Sequence, residues 1–411
     1  MRMHIISIAI MALAVLSCGK NPEGDNTGEN PYKKLELSTK SAEFVQKGNS
    51  FVFNFIDRVN AATDKDYIIS PMSMQFLLGM ILDGAQGETA EQICNVLGYG
   101  AGETEAVNEF CLSLLTQLPS LDKKTTLSIA DAIFVDDGWP LKKKYKEEVG
   151  KYYKAEVSNL DFADKKSLDV INGWCNKNTN GMIPKVLDEI STDMLCYLLN
   201  AVYFKSQWSS PFNKSFTAEE KFTDEAGSSA KVKMMKKETE LRYSQNNLYQ
   251  LVRIPYGNAA YAMYVFLPTE GHTVADVTKY LHNDNGDLFS AGMSTSMVDL
   301  WLPKFETNYH IKLNDLLSEM GMPNAFDGSK ADFLAMSDYA LCLSFVQQDA
   351  AIKVDEEGTE AAAVSSAGMM KNTSVGFDSF ATFHADHPFL YLITESSTGA
   401  VLFAGRYAGK K

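Results

Sequence analysis

The chain has 411 residues, of which 45% are hydrophobic, and it includes 23 Phe and 18 Tyr. That composition supplies a large apolar core and predicts a globular protein. The formal net charge of −14, with Lys and Arg dispersed along the chain, argues against nucleic acid as a partner, because a phosphate backbone requires clustered cations.

The N-terminus has the form of an export signal: Arg2 lies in a short polar start and an apolar run occupies residues 5–16. A run of about a dozen residues is too short to persist as a membrane-spanning helix. Cys18 follows at the expected cleavage point and resembles the cysteine of a bacterial lipobox. We therefore predict a lipoprotein signal peptide over residues 1–17 and a lipid on Cys18. An ordinary cleaved signal with an incidental cysteine is the alternative.

Residues 18–42 are predicted to be a flexible tether, because residues 20–31 are rich in Gly, Asn, Pro and acidic side chains and have no apolar periodicity. We expect a monomer that the lipid anchors to the outer membrane, facing the periplasm or the outside. The five remaining cysteines form no C-x-x-C pair, so the sequence supports neither a zinc site nor a disulfide framework. These cysteines are predicted to be buried as small hydrophobic residues. They are Cys94, Cys111, Cys175, Cys196 and Cys342.

After the tether, apolar residues recur at helical spacing from Ser41 onward, and Ser70-Pro71 predicts a second helix that ends near Gly84. A later helix is predicted over residues 168–179. Helices and strands interleave without a regular βαβ rhythm, which predicts a single α+β domain over residues 43–411 with antiparallel or mixed sheets. The predicted strands are residues 127–135, 197–204, 251–254, 260–267, 298–302, 341–346, 389–394 and 400–404.

Motifs of enzymatic catalysis are largely missing. Ser228 and Lys231 have an S-x-x-K spacing, but no S-D-N or K-T-G companion occurs. His384 and His387 have an H-x-x-H spacing, yet Pro388 follows at once and no third metal ligand is suggested. We predict that the protein is not an enzyme and has no catalytic residue, metal or cofactor.

Residues 359–368 are all small except Glu360 and Val364. In an extended strand, alternate residues share a face, so the face that holds Thr359 carries no charge and Glu360 lies on the other face. Such a segment can enter between two existing strands and give each backbone N–H and C=O a partner. An Ala-rich surface helix and a flexible linker are the alternatives that composition alone favours.

Residues 354–363 resemble the hinge of an inhibitory serpin. Other motifs similar to that family occur in family order, and the likeness covers nearly everything from about residue 43 to 409. The hinge residues are Glu356, Glu357, Gly358, Thr359, Glu360, Ala361, Ala362 and Ala363. The other motifs are residues 69–73, 84–89, 200–212, 299–305, 383–393 and 399–406.

The resemblance implies three β-sheets, eight or nine helices and an exposed reactive loop over about residues 356–380. It also implies an inhibitor that serine proteases attack as a substrate, forming an acyl-enzyme, after which the cleaved loop inserts into the central sheet. The expected partners are trypsin-like, elastase-like or subtilisin-like serine proteases, and cysteine proteases are possible further targets.

By the same resemblance, Ser70, Ser73 and Asn200 belong to a shutter beneath the central sheet, and Trp208 lies where the inserting strand first enters. Gln348 stands where many family members have a His. Because Gln can both donate and accept hydrogen bonds, we expect opening to survive there, with an altered network and pH dependence.

The count from the hinge places the cleaved bond fourteen residues beyond Gly358, between Asn372 and Thr373. Lys371 would suit a trypsin-like enzyme instead, and Met370 an enzyme with an apolar pocket. Counting back from Pro388 leads near Val375, so several positions within residues 370–375 stay open.

Two other functions compete with inhibition: a serpin-like binding protein without inhibitory activity, and an unrelated exported hydrolase. Non-inhibitory relatives often carry charged, bulky or Pro residues on the inserting face. Residues 359–367 carry none of these on the face that holds Thr359, which favours inhibition.

Overall fold

The computed structural model describes residues 28–191, 194–284, 292–359 and 380–410. Among these residues there are eight α-helices, and none of the eight is both long enough and apolar enough to cross a bilayer. The helices are α1 (Thr39–Ala62), α2 (Pro71–Gly84), α3 (Gly87–Leu97), α4 (Thr104–Gln117), α5 (Lys143–Tyr153), α6 (Lys166–Asn178), α7 (Val274–Asp284) and α8 (Asn314–Met320).

The starts of the first two helices follow from local chemistry. The side chain of Ser38 caps α1 by accepting a hydrogen bond from the backbone N–H of Ser41, and Ser70 caps α2 in the same way from Ser73. Pro71 occupies the first position of α2, where the helix needs no backbone N–H. Nearly every residue of α2 is buried, so this helix lies in the centre of the molecule.

The strands of the described residues form two hydrogen-bonded sheets, one of nine strands and one of six. The strands are β1 (Tyr67–Ile69), β2 (Thr125–Asp136), β3 (Glu156–Leu160), β4 (Cys196–Gln207), β5 (Ala218–Thr223), β6 (Ser229–Gln245), β7 (Tyr249–Tyr256), β8 (Tyr261–Pro268), β9 (Ser294–Pro303), β10 (Phe305–Lys312), β11 (Val346–Val354), β12 (Gly358–Thr359), β13 (Phe380–His384), β14 (Phe389–Glu395) and β15 (Val401–Tyr407). The predicted α+β class is confirmed.

The nine-stranded sheet has the order β1-β15-β14-β8-β7-β6-β9-β13, with β5 also paired to β6. Strand β6 is long enough to belong to two parts of this sheet: residues 242–245 pair with β7, and residues 229–234 pair with β5. Two of the three expected sheets are therefore joined through β6.

The six-stranded sheet, called the central sheet below, has the order β10-β11-β12-β4-β2-β3. Alternate residues of its strands lie in different cores. Ile133 and Leu198 face the main core together with α2, whereas Ala132 and Leu199 face a smaller cluster that includes Trp174 of α6. The central sheet is thus covered on both faces.

The strand predicted over residues 341–346 is wrong, because β11 begins at Val346 and continues to Val354. Leu341 and Leu343 are buried but lie in an irregular segment. The true strand contains the polar sequence Gln347-Gln348-Asp349, so the apolar pattern indicated burial correctly and the backbone conformation incorrectly.

Asn30, which falls within the predicted tether, is hydrogen-bonded to the body of the protein near the end of β4. The side-chain amide of Asn30 donates to Asp122 Oδ1 at 2.7 Å, and Asp122 Oδ2 accepts from Thr125 Oγ1 at 2.7 Å. Thr125 Oγ1 in turn lies 2.7 Å from Ser206 Oγ. This chain of hydrogen bonds links the N-terminal segment to the end of β4 that the hinge contacts. The domain boundaries themselves stay predictions.

Candidate functional site

A seam runs between β4 and β11 of the central sheet. At one end, residues 346–349 of β11 pair directly and in parallel with residues 198–201 of β4. At the other end, β12 lies between the two strands, with Thr359 paired to both Val354 and Ser206. Between these two contacts the strands have no ladder with each other in the described chain. The seam is closed at one end and parted by the hinge at the other.

The described part of the hinge, residues 354–359, is held by the segment that follows β4. The backbone N–H of Trp208 donates to Glu357 O at 2.8 Å. The indole N–H of the same residue donates to Asp355 O at 2.9 Å. Trp208 therefore contacts the hinge through both its backbone and its side chain.

The last two described hinge residues fit tightly into the seam. Thr359 is 1% exposed, and its hydroxyl lies 2.6 Å from the hydroxyl of Tyr256. The ring of Tyr256 stacks on Trp208 with centroids 4.4 Å apart. At Gly358 a Cβ would lie 2.0 Å from the backbone oxygen of Ser206, so any side chain there would displace the hinge.

Glu356 anchors the hinge through a buried carboxylate that is 4% exposed. Lys304 Nζ donates to its Oε2 at 2.6 Å, and Thr217 Oγ1 donates to its Oε1 at 2.8 Å. Its backbone oxygen accepts from Phe212 N at 2.8 Å. Burial by itself would raise the pKa of Glu356, but the hydrogen bonds from Lys304 and Thr217 favour the charged form and hold its pKa below the usual value.

Three polar side chains cross the closed end of the seam. Asp131 of β2 pairs with Asn200 of β4, and Asn200 pairs with Gln348 of β11. Residues that pair directly across a sheet point to the same face, and this face packs against α2. All three residues are buried. Asp131, Asn200 and Gln348 are called the polar row below.

Gln348 connects β11 to the start of α2. The backbone N–H of Ser70 donates to Gln348 Oε1 at 2.8 Å, and Gln348 Nε2 donates to the backbone carbonyl oxygen of Ser70 at 3.0 Å. The Ser70 hydroxyl donates to Leu402 O at 2.7 Å. The side-chain amide of Gln348 therefore satisfies both the N–H and the carbonyl group of Ser70, because it carries an acceptor and a donor on the same carbon.

Asn200 connects β4 to the same helix. The hydroxyl of Ser73 donates to Asn200 Oδ1, and Asn200 Nδ2 donates to Asp131 Oδ1 at 2.8 Å. The first turn of α2 is thus hydrogen-bonded to both strands of the seam, to β11 through Ser70 and to β4 through Ser73. Separation of the strands requires at least one of these connections to change.

Asp131 is a site residue that sequence reasoning missed, although a signal was available. It occupies an apolar-face position in a strand whose neighbouring positions on that face are Leu127, Ile129, Ile133 and Val135. Burial raises the pKa of Asp131 to about 7, and the hydrogen bond from Asn200 opposes that rise. Tyr256 and Thr217 were also missed, because only the fold brings them to the hinge.

Part of the predicted site lies outside the described residues: Cys18, Glu360, Ala361, Ala362, Ala363, Met370, Lys371, Asn372 and Thr373. The two histidines of the H-x-x-H pattern make separate contacts. His384 Nε2 lies 2.8 Å from Asp299 Oδ2, whereas His387 Nε2 donates to the Pro268 oxygen at 2.9 Å. The described residues contain no group of three or more side chains that could hold a metal ion.

We predict that Glu356→Gln lowers the free energy of unfolding by about 1–2 kcal/mol at pH 7, because it removes a charge-assisted hydrogen bond at a buried site. Since the pKa of Glu356 is lowered by folding, the charge stabilises the fold above the unfolded-state pKa of about 4.3 and this contribution is lost as pH falls through the folded-state pKa. Denaturant titrations at pH 7 and at successively lower pH should therefore show a difference from wild type that is largest at pH 7 and shrinks as the pH falls.

Glu219→Gln is the matched control, because Glu219 pairs with Lys233 at 3.2 Å on the surface, where its side chain is 52% exposed. The control should cost less than about 0.5 kcal/mol at pH 7. An equal loss in the two variants at pH 7, or a loss in Glu356→Gln that does not shrink as the pH falls, would contradict the assigned role of the Glu356 charge.

Comparison with known proteins gives the same family from sequence and from structure. The family model described as serpin (serine protease inhibitor) matches residues 46–409. An uncharacterized serpin-like protein of Methanosarcina mazei is 30% identical over 98% of this chain and 97% of its own length. The thermophilic serpin tengpin in its native state superimposes with a TM-score of 0.81 at 31% identity, covering 92% of this chain and 96% of that one.

Thyroxine-binding globulin in complex with thyroxine has the same architecture, with a TM-score of 0.75 at 25% identity over 88% of this chain and 98% of its own. The fold therefore occurs in proteins of more than one function. The match to the family model over most of the chain, the archaeal relative and the superposition together show that this chain belongs to the serpin family.

Proposed function

We propose that this chain inhibits serine proteases as a suicide substrate, and that residues 359–367 insert along the seam once the loop is cleaved. The observation that carries the proposal is the position of β12. Thr359 is buried between β4 and β11 and runs antiparallel to both, so a strand that continues in its direction runs toward the closed end of the seam.

Insertion would improve the hydrogen bonding of the central sheet. The parallel contact between β4 and β11 would be replaced by two antiparallel ladders, and the unpaired stretch of the seam would gain partners on both sides. Residues 361, 363, 365 and 367, which share a face with Thr359, are Ala, Ala, Ser and Ala. These small uncharged side chains fit the buried face that Thr359 occupies, and Glu360 would lie on the opposite face.

The covalent step uses the nucleophile of the protease. Its serine oxygen attacks the carbonyl carbon of residue 372, the peptide bond to Thr373 breaks, and the leaving amine takes the proton that the protease base removed from the serine. The ester between protease and inhibitor is the acyl-enzyme. Trapping requires insertion to precede its hydrolysis, so this chain supplies a seam and a strand and no catalytic group.

Incubation with trypsin-like, elastase-like and subtilisin-like proteases is expected to give a complex with at least one of them that survives boiling in detergent. Denaturing gels detect the complex, and mass spectrometry of the released C-terminal peptide identifies the bond among Met370, Lys371, Asn372 and Thr373. Cleavage without a complex for all three protease classes would contradict the proposal. It would favour a binding protein without inhibition, the alternative to which the likeness to thyroxine-binding globulin points.

Thr359→Arg is expected to convert the inhibitor into a substrate, because a cation does not fit the buried site beside Tyr256 that Thr359 occupies, and its displacement would remove the start of the inserting strand. The same gels should then show at least a tenfold shift from complex to cleaved product. Glu360→Arg is the matched control, since parity places residue 360 on the opposite face, and it should keep forming the complex. Equal behaviour of the two variants would contradict insertion in this register.

We also propose that the protein is exported and anchored by lipid at Cys18, on the basis of the apolar run and the cysteine that follows it. Growth of a bacterial host with radiolabelled palmitate should label wild-type protein and leave Cys18→Ser unlabelled while export continues. Label in the variant, or no label in the wild type, would favour an ordinary signal peptide.

A further inference from the structure

We propose that Asp131 is the residue whose protonation sets how readily the seam opens, with the protonated form keeping the seam closed and the ionised form favouring its opening. This inference rests on the proposed function, because it concerns the insertion step. It assigns a role to a carboxyl group that belongs to neither the hinge nor the reactive bond.

The surroundings of Asp131 are poorly suited to a negative charge. The side chain is 1% exposed, its Oδ1 accepts from Asn200, and its Oδ2 has no hydrogen-bond partner among the described residues. A buried carboxylate with a single donor loses hydration that one hydrogen bond does not replace. The neutral acid avoids that cost in the closed state.

Asp131 acts on the seam through Asn200. Asn200 lies on the strand that borders the seam, directly opposite Gln348, and its Oδ1 accepts from Ser73 of α2. Asp131 therefore holds the amide that connects β4 to the helix. Separation of β4 from β11 would admit water beside Asn200 and reduce the cost of a charge on Asp131. The ionised form consequently gains more from opening than the neutral form does.

Among the described residues, Cys111 of α4 is a titratable group that interacts with Asp131, and its pKa is raised by burial. Cys111 in turn interacts with Asp83 of α2, whose pKa burial raises to about 7 and which accepts from Asn108. Tyr153 of α5 donates to the same Asn108. In the polar row itself, Asn200 and Gln348 do not titrate, which leaves Asp131 as its one ionisable member.

The opposite face of the seam carries a second buried carboxyl at the same level. Asp349 pairs with Ala201 across the seam, accepts from Gln347 at 2.7 Å and lies opposite His310 on β10. Burial raises its pKa to about 6, with Gln347 and His310 opposing the rise. Asp349 is therefore the matched control, since it is buried and titratable but does not contact Asn200 or α2.

The direction of the pH effect follows from the raised pKa of Asp131. The closed seam binds this proton more tightly than an opened or unfolded chain, so the stabilisation is complete below the ordinary Asp pKa of about 3.9 and is lost as pH rises through about 7. If opening lowers the pKa by about one unit, the opening rate rises about fivefold between pH 6 and pH 8.

The test measures uptake of a fluorescent synthetic peptide with the sequence of residues 359–370 into the full protein at pH 6 and pH 8. The single ionisable side chain of the peptide, Glu360, stays charged across this range. We expect uptake by the wild type to be at least about fivefold faster at pH 8, and uptake by Asp131→Asn to lose most of that acceleration and stay close to the wild-type rate at pH 6. Asp349→Asn should keep most of the acceleration, because a carboxyl that titrates near pH 6 is already about half ionised at the lower pH.

Each outcome separates this inference from the function on which it rests. Uptake with no pH dependence in the wild type, or acceleration that persists in Asp131→Asn, overturns the role of Asp131 and leaves the inhibitory mechanism standing. If no peptide is taken up at pH 6 or at pH 8, both insertion and this inference are overturned. Carboxyl ¹³C NMR of labelled wild type adds an independent readout: a resonance lost in Asp131→Asn should titrate near pH 7, and titration near pH 4 would contradict the proposal.

Discussion

The parallel contact between β4 and β11 is the constraint on which the rest of the structure depends. Two long strands share only a short ladder at residues 346–349, and toward the hinge they have no ladder with each other in the described chain. Unpaired backbone groups inside a sheet are costly, so the seam favours any strand that can fill it. The hinge fills one end of it with Thr359, which pairs with both strands.

Two sets of contacts act at the two ends of the seam. At the hinge end, Trp208, Lys304 and Tyr256 hold the backbone and side chains of residues 355–359. At the closed end, the first turn of α2 is bonded to both strands through the polar row. The first set holds the hinge in the seam, and the second opposes separation of β4 from β11.

The polar row stabilises the middle of the central sheet less than apolar side chains would. Apolar side chains of similar volume would pack beneath α2 without a desolvation cost, and a half-satisfied carboxyl such as Asp131 lowers stability further. If the seam opens as proposed, these polar groups can exchange partners with water or with an incoming strand, which hydrocarbon cannot do.

The sequence by itself determined the family, the α+β class, the starts of α1 and α2, and the parity of residues 359–367, because capping, periodicity and motifs are local properties of the chain. The sequence pattern misplaced β11, because the polar residues Gln347, Gln348 and Asp349 interrupt the apolar pattern of a strand. The pairing of that strand depends on partners distant in the chain. Only the tertiary structure decided that Gln348 holds both backbone groups of Ser70, that Tyr256 contacts Thr359, and that Asp131 Oδ2 has no donor among the described residues. Those facts depend on which strands lie side by side, and register between segments far apart in sequence is fixed by packing of the whole core.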